Sequence, residues 1–158
     1  MKQNRQHIQA SILDRLIDNE PGVLHEPVQR RTYSVGQIKA SVVRDLENLL
    51  NTRRNIRPLP VKYREVNSSL FVYGLQDFTS KDPRSPSVKL HLRNDVEKTI
   101  ARFEHRLKNV TVHIESEHSS DRKIRFRITG VLHIDLITEP VTFDTYFDLN
   151  RGEYVISK

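Results

Sequence analysis

The sequence predicts an α+β fold: an antiparallel meander of three to four strands in the C-terminal third, packed by two main helices, with a short helix near the N-terminus. Three observations carry this. Apolar residues recur at helical spacing in two long segments, within residues 34–54 and 85–107. From Val110 onward the apolar period drops to two, as in strands with one buried face. The chain has 158 residues, 36% of them hydrophobic, which suits one moderate core rather than two independent domains.

Taken in order, Ile8, Ile12, Leu13, Leu16 and Ile17 have the spacing of a short amphipathic helix, ended by Asn19-Glu20-Pro21-Gly22. Residues 22–33 lack periodicity and read as an extended connector, so residues 1–33 form an N-terminal arm and 34–158 a single α+β domain. Ser34 and Gln37 have capping-box spacing, and Ile38, Val42, Leu46, Leu49 and Leu50 then form one apolar stripe. This helix runs to Arg53 and Arg54, and Pro58 and Pro60 forbid its continuation. In the apolar segment that follows, Leu70, Val72 and Leu75 are expected to pack, and Gly74 to allow a turn or a close backbone approach that a side chain would block. Ser85-Pro86 starts the longest helix, with Val88, Leu92, Val96, Ile100, Phe103 and Leu107 as its buried stripe.

Parity sets the strand registers, because a slip of one residue would turn every apolar side chain to the other face. An odd-numbered turn at 118–122 sets Ile114 against Phe126 and Val112 against Ile128. The same register brings Glu115 opposite Arg125 and Glu117 opposite Lys123, two pairs of opposite charge on the far face. The turn around Thr138-Glu139 is even-numbered, which places His133 opposite Asp144. Arg151-Gly152 closes a last hairpin that pairs Leu149 with Tyr154. Residues 110–117 and 154–156 are then the candidate edges for an added strand.

Composition narrows the chemistry. There are no cysteines, which removes disulfides, thiolate nucleophiles and cysteine metal sites, and agrees with a reducing compartment. No apolar run reaches membrane-spanning length and no secretory leader is evident, so a cytoplasmic location without membrane insertion is expected. The net charge of +6 permits an acidic partner. A nucleic-acid-binding domain using Arg125 and Arg127 is therefore the alternative reading, but aromatic stacking platforms are not interleaved with the basic residues.

No catalytic, cofactor or metal site stands out. His133, Asp135 and Asp144 on one face could form a partial metal site, yet an exposed His opposite an Asp is also an ordinary cross-strand pair. A two-carboxylate hydrolase would need an acid in an apolar setting; Glu104 is the one glutamate near the end of an apolar helix stripe, and a solvent-facing or partner-facing glutamate is the plainer reading. Arg53 and Arg54 suit the negative end of a helix on local grounds alone. Glu104 and Arg106 lie off the stripe of Phe103 and Leu107, so they are expected to point sideways from the end of the second main helix.

Three separated tracts carry more. Asp45-Leu46-Glu47-Asn48-Leu49-Leu50-Asn51-Thr52-Arg53-Arg54, Ser69-Leu70-Phe71-Val72-Tyr73-Gly74-Leu75-Gln76-Asp77 and Phe103-Glu104-His105-Arg106-Leu107 resemble, in order and spacing, the baseplate wedge family of contractile phage tails and bacterial type VI secretion systems. Ser11-Ile12-Leu13-Asp14-Arg15-Leu16 and Val141-Thr142-Phe143-Asp144-Thr145 are similar as well. The resemblance implies a structural subunit without catalytic turnover or cofactor. It implies as partners the wedge proteins TssF and TssG and the contractile sheath subunits, with no nucleic acid. It also implies partner contacts at Glu104, His105 and Arg106, with Arg53 and Arg54 as a second choice. The family pattern in the third tract is Glu-Pro-Arg; His105 stands in place of the proline and is expected to let the helix continue.

Overall fold

The computed structural model describes residues 11–17, 22, 34–56, 65–115, 122–134 and 137–157. The chain divides into two compact units, Met1–Arg44 and Asp45–Lys158. Among the described residues three α-helices, α1 (Ile12–Leu16), α2 (Val35–Asn51) and α3 (Pro86–Phe103), precede four strands, β1 (Leu107–Ile114), β2 (Lys123–Ile134), β3 (Ile137–Asp148) and β4 (Glu153–Ser157). The strands pair in sequence order as an antiparallel meander, which is the α+β architecture expected. Among the described residues no helix is long and apolar enough to cross a membrane.

In the first unit, α1 is shorter than its apolar spacing suggested; its expected start at Ile8, the connector beyond Gly22 and Asn19 to Pro21 lie outside the described residues. Ser11 caps it, its hydroxyl accepting from the Asp14 N–H at 3.2 Å. Asp14 is the buried residue of α1, while Ile12, Leu13, Leu16 and Ile17 are exposed. Its carboxylate accepts from the Ser41 hydroxyl at 2.8 Å and from Arg44 Nη1 at 2.7 Å. A polar clip, not an apolar face, therefore holds α1 to α2.

Helix α2 begins with the expected capping box. Gln37 Oε1 accepts from the Ser34 N–H at 2.9 Å, and the Ser34 hydroxyl accepts from the Gln37 N–H at 3.2 Å. The predicted stripe of Ile38, Val42, Leu46, Leu49 and Leu50 is buried throughout. The helix stops at Asn51, three residues before Arg54. There Thr52 and Arg54 bond to Leu75 instead: the Leu75 N–H donates to the Thr52 carbonyl at 2.9 Å, and the Arg54 N–H to the Leu75 carbonyl at 2.8 Å. This approach explains Gly74, whose φ is +95° and where a Cβ would lie 2.2 Å from the Thr52 carbonyl oxygen. Leu75 is buried, but Leu70, the first residue of a short 3₁₀ turn (Leu70–Val72) capped by Ser69, is 81% exposed, contrary to expectation, and Val72 is half-buried.

Helix α3 starts at Pro86 behind Ser85, although the Ser85 hydroxyl bonds to that of Ser87 rather than capping. Leu92, Val96 and Ile100 are buried as predicted. The helix ends at Phe103, and Leu107 is the first residue of β1. Leu107 still faces the core because a bulge between Lys108 and Thr111, with Asn109 at φ 51°, inserts one residue and switches parity. Leu107 and Val112, of odd and even number, thereby share the buried face.

The first hairpin register is as expected, with Ile114 opposite Phe126 and Val112 opposite Ile128. The Glu115 N–H donates to the Arg125 carbonyl at 3.0 Å, continuing that register, whereas the Glu115 carboxylate approaches Arg127 at 3.8 Å. Glu117 lies outside the described residues. The other two registers keep the expected parity but shift along the strands. Ile134 pairs with Ile137, so the β2–β3 turn falls three residues earlier and His133 faces Thr138, not Asp144. In the last hairpin Phe147, not Leu149, pairs with Tyr154, and their rings stack at 4.4 Å. Parity follows from which face is apolar; in the last hairpin the stacked Phe147 and Tyr154 rings go with the shifted turn.

A candidate partner-docking site

The three tracts singled out in the sequence meet on one side of the second unit. The first and third join through Arg106: its Nη2 donates to Asp45 Oδ2 at 2.6 Å and its Nε to Glu104 Oε1 at 2.7 Å. The Arg106 backbone N–H also reaches Glu104 Oε1, at 3.2 Å. The first and second join through the Thr52, Arg54 and Leu75 backbone, and through Arg53, whose Nη1 lies 3.1 Å from Asp77 Oδ2. The second and third join where Tyr73 meets Phe103 edge to face at 5.1 Å.

The structure corrects the expected direction of the third tract. Helix α3 does not continue through His105: Glu104 is its C-cap, with its N–H donating to the Ile100 carbonyl at 2.8 Å, and His105 and Arg106 form a turn. Glu104 is only 6% exposed, and its carboxylate folds back onto Arg106 instead of leaving sideways. Arg106 is partly buried between Glu104 and Asp45. Burial disfavours its charge, but the two carboxylates outweigh that and hold its pKa above the ordinary arginine value. Burial, Asp45 and Glu104 together raise the Tyr73 hydroxyl. His105 is exposed.

The two arginines after α2 differ. Arg54 Nη2 donates to Asp95 Oδ1 at 2.9 Å, and the other Asp95 oxygen accepts from the Gln76 N–H at 3.0 Å, which ties α3 to the second tract. Arg53 is the more exposed, and its partner Asp77 is held below the usual carboxylate range, chiefly by the Thr79 N–H and hydroxyl. Asp45, Tyr73 and Asp77 were within the tracts but had no role assigned; Asp95 lies outside them, and no local pattern marks it. These contacts form a fixed ledge of alternating charge. A guanidinium stands between Glu104 and Asp45, so the two carboxylates are members of an ion-pair network, not an acid and a base facing a substrate.

The metal reading loses its geometry with the register. His133 Nδ1 lies 3.1 Å from the Thr138 hydroxyl, and Asp144 accepts from Arg127 Nε at 2.6 Å. Asp135 lies outside the described residues.

A family model described as baseplate wedge protein gp25 matches residues 36–135, well over half of the chain and all three tracts. The chain belongs to this baseplate wedge family. Its role is accordingly that of a structural baseplate protein. One chain of a solved structure titled "The baseplate complex from the type VI secretion system" aligns with this wedge-family chain at 18% identity and a TM-score of 0.48, covering 70% of this chain and 94% of its own. No curated protein matches the sequence.

Proposed function

We propose that this wedge-family chain is the TssE-type subunit of a type VI secretion baseplate, working in the cytoplasm, and that it docks on the wedge proteins TssF and TssG through the ledge of Glu104, His105 and Arg106, with Arg53 and Arg54 beside it. The observation that carries the reading is the convergence of three tracts, far apart in sequence, on one fixed surface. Local helix stability would not require Asp45, Gly74 and Arg106 to cooperate. A docking surface gains from such fixation, because side chains already ordered lose less entropy when a partner arrives.

The sheet supplies a second contact in this reading. Its outer strands β1 and β4 flank the meander, and contractile sheath subunits would add extended segments to it and start the first sheath ring. Co-purification with TssF and TssG tests the docking role. His105→Glu and Arg53→Glu alter exposed charge without touching the buried pair, and Arg106→Lys keeps the charge but loses the fork. Each variant is expected to weaken co-purification while keeping the native unfolding transition. Full binding by all three folded variants overturns the assignment.

A further inference from the structure

Outer strands carry backbone N–H and C=O groups that point away from the sheet and can template another strand. On β4, Tyr154 turns both of its groups outward, and the side chain of Asn51 meets both. Asn51 Nδ2 donates to the Tyr154 carbonyl at 2.9 Å, and Asn51 Oδ1 accepts from the Tyr154 N–H at 2.8 Å. A primary amide presents the same donor and acceptor as a peptide unit. Asn51 thus makes the two bonds that one residue of an added antiparallel strand would make.

One further contact and one residue choice deal with open backbone groups in the same way. On β1, Glu97 Oε1 from α3 accepts from the Val112 N–H at 2.8 Å. On β3, strand β4 covers only Asp144 to Asp148, and alternation places Pro140, which has no N–H to offer, with its nitrogen on the uncovered side.

We propose that Asn51 is a built-in occupant of the β4 edge, an autoinhibitory contact that keeps Tyr154 from pairing with β4 of a second copy of this chain. The strand is self-complementary. An antiparallel β4–β4 pair centred on Val155 sets the outward groups of Tyr154 against those of Ile156 in both directions, and Glu153 against Ser157, with no like charges opposed. Asn51 is exposed, so its side chain can swing away while the Tyr154 ring stays buried against Phe147 and Phe126. The edge contact is independent of the docking role assigned to the ledge; a sheath segment added at β4 would first displace Asn51.

Hydrogen exchange and sedimentation equilibrium on the full chain test it, with Asn51→Leu as the variant. At low concentration the Tyr154 amide is expected to exchange about tenfold faster than in the native protein, while the Phe126 and Phe143 amides keep their protection. Self-association is expected to tighten by roughly tenfold, with Tyr154 protected again in the associated form. Adding Ile156→Pro is expected to return the variant to monomer. If the core amides show that Asn51→Leu does not fold, Asn51→Ala serves, since it removes both the donor and the acceptor without adding bulk at the edge. Unchanged Tyr154 exchange overturns the proposal, as does faster exchange without tighter association, or association that survives Ile156→Pro.

Discussion

Gly74 has a conformation that other residues adopt only under strain, and its neighbour on that side is backbone, which cannot swing aside. Gly74→Ala is expected to cost more than about 2 kcal/mol in urea unfolding. Arg106→Ala leaves the nearly buried Glu104 carboxylate without its guanidinium. The expected loss is about 3 kcal/mol, at the low end for a buried pair because the Arg106 side chain is 24% exposed. His105→Pro, by contrast, should change unfolding stability by under about 1 kcal/mol, since the helix has already ended and, among the described residues, no backbone bond from the His105 N–H holds the turn. A larger loss would show that the family proline is not interchangeable with this histidine. The special role of Gly74 was legible in the sequence because a glycine amid packed apolar residues points to a backbone constraint there. The inward fold of Glu104 was not: Asp45, which shares its guanidinium, lies 61 residues from Arg106 and marks no local pattern.

Among the elements, α1 depends on one carboxylate. Burial pushes the Asp14 pKa up, but Ser11, Arg44 and Ser41 outweigh it and hold it below the ordinary 3.8. A lowered folded-state pKa stabilises the folded form fully above about 3.8, and the gain is lost as pH falls through the lower folded value. The α1 amides should therefore lose exchange protection on acidification below that range. Asp14→Asn should remove this pH dependence and leave α1 weakly protected at neutral pH. The helices α2 and α3 were legible from spacing and start signals, because these are properties of a few adjacent residues. Their ends were not, because Asn51 and Phe103 stop where Leu75 and β1 bring competing backbone partners. The bulge at Asn109 was missed for a related reason. Leu107 fits the helical stripe of Phe103, so alternation is visible only from Val110 onward, and only pairing with β2 reveals the earlier strand start and the inserted residue.

For the whole molecule, a net charge of +6 invites the nucleic-acid reading, yet charge spread over a surface binds polyanions only where it is not already neutralised. Arg127, central to that reading, is held above its ordinary pKa by a hydrogen bond to Asp144, with Glu115 nearby. Mixed-sequence DNA is expected to bind no tighter than about 100 µM at physiological salt, the weak end of non-specific binding, by fluorescence anisotropy. Micromolar affinity that falls steeply with salt would instead favour the nucleic-acid reading. The sequence by itself determined the α+β class, the strand parity and the tracts that carry the family, since periodicity, caps and residue order are written locally. The tertiary structure alone decided where the hairpins turn, that Glu104 and Arg106 bind each other and Asp45, and that Asn51 occupies the β4 edge. Each of those outcomes is a competition between partners distant in the chain, and it is settled by which of them folding brings within hydrogen-bond reach.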